Sequence, residues 1–103
     1  MAFTDPFPGL EKPLNKQNLI SAIRLDIAAE QEAAFLYQSH AQACKDGFPG
    51  VAEALRDIAS EEIVHTGELT EILQGLDLDE SALLSKGRQE IMDKYPNLSY
   101  KVR

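Results

Sequence analysis

At 103 residues and a formal net charge of −7, the chain holds one domain at most, and its acidity disfavours nucleic acid and anionic membranes while suiting cations. Hydrophobic residues make up 44% and charged residues 26%, which excludes a disordered chain, and no apolar run approaches the roughly 20 residues of a membrane span. A single cysteine, Cys44, excludes an internal disulfide framework and fits a reducing cytoplasm.

Residues 1–14 carry Pro6, Pro8 and Pro13 with Gly9, and are expected to run as an extended arm. The opening MAFTDPFPGL lacks the basic and apolar regions of a signal peptide. Asn15 is placed to cap a first helix predicted over about 15–46, with Gly47 and Pro49 ending it. A second helix is predicted over about 50–74 with Gly75 as its C-cap, and the short KDGFPG loop makes the two an antiparallel hairpin. Asp77 or Asp79 then caps a shorter third helix over about 79–95, which Pro96 terminates and Gly87 weakens. A tail follows at 96–103. No β pattern competes and no internal repeat is present. The domain is therefore expected over 15–95, all-α, an antiparallel two-helix hairpin plus a short C-terminal helix.

Apolar periodicity gives each long helix a seam. On the first it passes through Ile23, Ile27, Glu30, Ala34, Tyr37 and Ala41. On the second it passes through Val51, Leu55, Ile58, Glu62, His65, Leu69 and Ile72. The alternating steps of four and three belong to left-handed helical bundles. Both seams are interrupted near the middle, by Glu30 in one and by Glu62 with His65 in the other. A lone carboxylate in an apolar seam costs several kcal/mol unless it is paired, protonated or bound to metal. One Glu plus Glu-x-x-His is half of the di-iron carboxylate set, whose other half comes from two further helices of a four-helix bundle. A chain this short cannot supply them, whereas a two-fold dimer brings Glu30, Glu62 and His65 together with their symmetry mates. Oxygen and nitrogen donors without a thiolate suit iron or manganese, and accept zinc or cobalt in vitro.

Other residues rank below these three. Glu61 lies about 70° from the seam centre against about 30° for Glu62, so Glu62 is the expected ligand and Glu61 a rim carboxylate. Glu32 lies off the first seam, either as a solvated acid or as a carboxylate feeding cations inward. Tyr37 shares the face of Glu30 and is either a core tyrosine or a hydrogen-bonding support for a ligand. His40 is expected at the surface. Leu25, Ala28 and Leu36, with Ile63 and Val64, lie off the seams and need covering by the third helix or by further subunits.

The segments AIRLDIAAEQEAAFLYQSHAQA and ALRDIASEEIVHTGELTEIL resemble the ferritin-like superfamily, and within it the encapsulated ferritin family, the cargo of encapsulin nanocompartments. The resemblance covers roughly residues 15–95 and rests on the Glu30-to-Tyr37 spacing and on Glu61-Glu62-x-x-His65 followed by Gly67-Glu68. It implies a ferroxidase centre of two irons between the chains of a homodimer, dimers assembled into an annular decamer, and oxidation of Fe(II) by O2 inside a cytoplasmic encapsulin shell that stores the product. Carried over by position, Glu30, Glu62 and His65 are the ligands and Glu32 an acidic entry residue. Ala29 departs from members that carry an acid directly before the first ligand, and no targeting tail is recognisable in YKVR. Two alternatives stand beside it. One is a metal-independent helical adaptor whose polar seam residues fix its register. The other is a rubrerythrin-like di-iron redox protein acting on another substrate such as peroxide, although this chain lacks rubredoxin-type Cys-x-x-Cys pairs.

Overall fold

The computed structural model describes residues 14–98 and 100; the expected arm up to residue 13 and half of the tail (99 and 101–103) lie outside the described residues. Asn15 opens the first helix as the sequence requires. Its extended backbone breaks the helical path, and its side chain accepts a hydrogen bond from the Asn18 N–H at 2.8 Å. Helix α1 then runs over Lys16–Cys44, about 44 Å at 1.5 Å per residue. Asn15→Ala should cost about 1 kcal/mol; the urea midpoint is expected to fall with no change in the slope of the transition.

Four residues separate α1 from α2, which spans Pro49–Leu76. Phe48 contributes no side-chain cap, and Pro49 takes the first helical position, where its missing N–H leaves nothing unsatisfied. Neither Gly47 nor Gly75 has left-handed backbone. Glycine permits that conformation without imposing it, so the helix runs two residues past its expected end, to Leu76, and Asp77 takes the C-cap expected of Gly75.

Asp77 is the whole junction between α2 and α3, Leu78–Lys94. Its N–H donates to the Leu73 carbonyl at 2.9 Å, closing α2. Its Oδ1 accepts from the Glu80 N–H at 3.0 Å, opening α3. Gly87 does not interrupt α3. Asp79 and Glu80 in the first turn and Lys94 in the last complement the helix dipole. The three helices differ from their predicted bounds by one or two residues at each end, and no strand occurs among the described residues.

The hairpin packs on small residues. The buried positions are Ile20, Ala34 and Ala41 on α1 and Ala52, Ala59 and Leu73 on α2. Four alanines on one contact line let the helices approach closely, towards the lower end of the usual 8–10 Å between axes. The α1 seam was expected through Ala34 and Ala41, and both are buried. The α2 seam needs correcting. Val51, Ile58, His65 and Ile72, expected on it, are not covered by α1 but form a stripe open to solvent. Ala52 and Ala59, one residue further round the helix in each case, face α1 instead. Alanine contributes little to an apolar pattern, so the periodicity pointed to the larger side chains beside the true contact.

Helix α3 buries none of its residues. It lies against α2 at its beginning, and the molecule is a slab of 50 × 48 × 17 Å with a radius of gyration of 17.9 Å, where a compact chain of this length has about 13 Å. Arg24 of α1 reaches the start of α3, pairing with Asp77 Oδ2 at 3.3 Å and with Glu80. The hydrogen bond that the guanidinium donates to Glu80, helped by the charges of both acids, holds Arg24 above its ordinary pKa against the opposing effect of burial. Among the described residues, no helix is long and apolar enough to cross a membrane.

Candidate metal centre

Glu30 sits in the middle of α1, one turn before Ala34. Glu62 and His65 sit in the middle of α2, Glu62 one turn after Ala59. Because Ala34 and Ala59 hold the helices close, the carboxylate from one and the pair from the other meet across the hairpin. His65 Nδ1 is 3.4 Å from Glu30 Oε2 and 3.8 Å from Glu62 Oε2. One donor atom from each of the three lies within 4.8 Å of the others.

Glu30 Oε2 is buried and has no hydrogen-bond partner. The imidazole nitrogen stands close to it but does not satisfy it. A buried, unsatisfied carboxylate oxygen costs at least about 1–3 kcal/mol, and more when it is charged. A divalent cation among two carboxylates and an imidazole would relieve that cost, and the hard-oxygen and nitrogen donor set fits iron or manganese. The three residues thus fit a metal on structural grounds.

The centre is open on one side. Glu30 and Glu62 side chains are 28% and 20% exposed, while His65 is 51% exposed. Its open side coincides with the solvent-facing stripe of α2, since Val51, Ile58, His65 and Ile72 repeat every seven residues on that flank. Glu62 lies between this stripe and the buried alanine line, at about 60° from Ala59 by helical rotation. A second chain laid on the stripe would therefore cover the three candidate donors.

The remaining candidates lie outside this group. Glu61 is exposed and turned away from α1, whereas Glu62 is half-buried beside His65. Glu32 is half-buried without joining the three donors. Tyr37 is half-buried, and its hydroxyl makes no hydrogen bond to Glu30 or Glu62 within the chain. His40 is exposed and Cys44 half-buried. Thr66, not singled out by sequence, also lies near the centre. Its hydroxyl donates to the Glu62 carbonyl at 3.0 Å, and Thr70 repeats this with Thr66 at 2.6 Å. These bonds satisfy two hydroxyls on the side of α2 nearest α1 and leave neither as a ligand. On the opposite flank, Ile63 and Val64 are exposed as expected, and Phe35 joins them, whereas Leu25, Ala28 and Leu36 are half-buried.

Comparison with known proteins places the chain in a family. The Rubrerythrin family matches residues 18–101, a span that includes all three donors and the three helices except the first two residues of α1. A Pyrococcus furiosus protein named ferritin-like-encapsulin shell fusion protein is 35% identical over 83 residues, 81% of this chain and 24% of that protein. The chain thus spans about a quarter of the length of that curated relative. No solved structure matches the chain.

Proposed function

The chain belongs to the rubrerythrin family of ferritin-like proteins, and from that premise we propose that it is a ferroxidase. It takes Fe(II) as substrate and passes one electron from each ion to O2, yielding Fe(III). The active centre holds two irons and is completed by a second copy of the chain. Glu30, Glu62 and His65 are the ligands from each copy. The observation that carries this most directly is the unpartnered, buried Glu30 Oε2 facing His65 Nδ1 at 3.4 Å across two helices.

Each residue has a distinct task. Glu30 and Glu62 bring two negative charges to a half-buried place, which favours the more highly charged ferric product over the ferrous substrate. Glu62 would be the carboxylate shared between two irons, because it lies on the same face of α2 as His65, three residues away. His65 presents Nδ1 to the carboxylates, fixing which nitrogen is the donor. The open flank is the route by which iron enters a single chain, and a partner would close it. Glu32 and Glu61 act at the approach, as acids that attract ferrous ions without holding them. Tyr37 would hydrogen-bond a ligand only once the second chain is in place.

The relative's name joins a ferritin-like part to an encapsulin shell part in one protein. That supports an association of this chain with an encapsulin shell; we propose further that it is cytoplasmic cargo inside the shell, as dimers gathered into a ring of ten, with the shell storing the ferric product. Co-expression with an encapsulin shell protein should bring the chain down with the shells.

Iron oxidation followed by stopped-flow absorbance tests the centre. Removing a residue that merely supports a metal ligand costs about 10–100-fold, so Glu62→Ala and His65→Ala should each lower the rate by at least that much. Equal rates in the variants and the parent would refute the assignment. The family match is equally compatible with a rubrerythrin-like redox protein of another substrate; if that substrate is peroxide, the same traces recorded with hydrogen peroxide in place of O2 separate the two.

A further inference from the structure

Helix α3 joins the hairpin through one residue and one ion-paired fork. Asp77 is the only residue between α2 and α3, and it serves both, as C-cap of one and N-cap of the other. No residue of α3 is buried, so packing does not fix its direction. Polar contact does. Arg24, about two turns into α1, meets Asp77 and Glu80 together, the N-cap of α3 and the third residue after it. Asp77 divides its carboxylate, giving Oδ1 to the Glu80 N–H and Oδ2 to Arg24. Glu80 occupies the position from which an acid ordinarily reaches back to the cap, yet its side chain goes to Arg24.

We propose that Arg24 is a latch that sets the angle of α3 about a hinge at Asp77. The guanidinium can hold two carboxylates in fixed directions through its planar fork, and two points of attachment on one helical turn define an axis where a single ion pair would not. Among the described residues, α3 has no other ion pair to α1. What the latch orients is an apolar arm. Leu84, Ile91 and Tyr95 lie along one side of α3 and are exposed, with Leu83 and Met92 beside them. The angle of α3 thus decides where these side chains stand relative to the metal-bearing hairpin. The pairs are partly exposed, with Arg24 at 44%, so the latch is open to release by solvent.

Spin-label distances in the full chain test this. Labels are attached at Glu68→Cys on α2 and Arg88→Cys on α3, with Cys44→Ala removing the native thiol. The labelled chain is diluted into unlabelled protein so that only distances within one chain are read. The parent should give one narrow distance. Arg24→Gln should broaden it severalfold while the circular dichroism stays helical. The charge-exchanged pair Arg24→Glu with Glu80→Arg should narrow it again, which a merely structural role of Arg24 in packing α1 would not produce. An unchanged distance in Arg24→Gln overturns the proposal. Loss of helical signal in that variant also overturns it, since α3 would then melt instead of swinging. Failure of the exchanged pair to restore the narrow distance would show that the ion pair is not what sets the angle.

Discussion

Ala59→Leu is expected to destabilise the hairpin and to abolish tight metal binding together. Ala59 is fully buried, as is Ala52 one heptad before it. Three added carbons have no space on a line where α1 and α2 meet through alanines, and overpacking of this kind costs about 1–3 kcal/mol. The helices can relieve the clash only by moving apart. Glu62 is one turn beyond Ala59, so the separation falls where Glu30 and His65 stand 3.4 Å apart. Ala59→Gly provides the control. It weakens the helix by about 1 kcal/mol without pushing the helices apart. Urea unfolding should report a loss in both variants, whereas Co(II) binding followed by its visible absorption should fail only in Ala59→Leu. Equal binding in both would mean that helix spacing does not govern the centre.

The alanine line also shows where the sequence was informative and where it was not. Glu30, Glu62 and His65 were legible because ionised groups within an apolar period stand out, and burying them uncompensated is expensive. The contact line beside them was not, since Ala52 and Ala59 act through their small size rather than through hydrophobicity. Sequence periodicity reads apolar character, so it selected Val51, Ile58 and Ile72, which lie on the same flank as the true contact but are uncovered. Helix termini with a chemical mechanism were legible. Asn15 caps by accepting from Asn18, and Pro49 starts α2 because only its first turn tolerates proline. Gly75 misled because a glycine marks a place where the chain is free to turn, and here Asp77 makes the turn. The placement of α3 had no local sequence signal at all. It depends on Arg24 meeting Asp77 across 53 residues of chain, a pairing that neither periodicity nor composition encodes.

Ile58→Asp should separate the copies and end iron oxidation while leaving each chain folded. Ile58 is 41% exposed, so the substitution removes little from the core of a single chain. It lies one heptad before His65 and one after Val51, on the flank from which the metal centre is open. In a two-fold arrangement every residue of that stripe is used twice. One substitution therefore puts two carboxylates into the apolar contact, each costing several kcal/mol if buried without a partner. The association it opposes gains only about 1.5–3 kcal/mol for each large apolar side chain fully covered, and must first offset the lost freedom of two chains. Light scattering should report the mass of a monomer, circular dichroism should be unchanged, and ferrous oxidation should fall as far as in His65→Ala. The comparison of those two variants carries the mechanistic weight. His65→Ala removes a donor from an assembled protein, whereas Ile58→Asp leaves all three donors of each chain intact and removes only the second copy. If Ile58→Asp oxidises iron as a monomer, Glu30, Glu62 and His65 of one chain suffice and the two-chain centre is wrong. If it remains assembled and active, the copies meet through another face, and the stripe beside the metal centre has a different purpose.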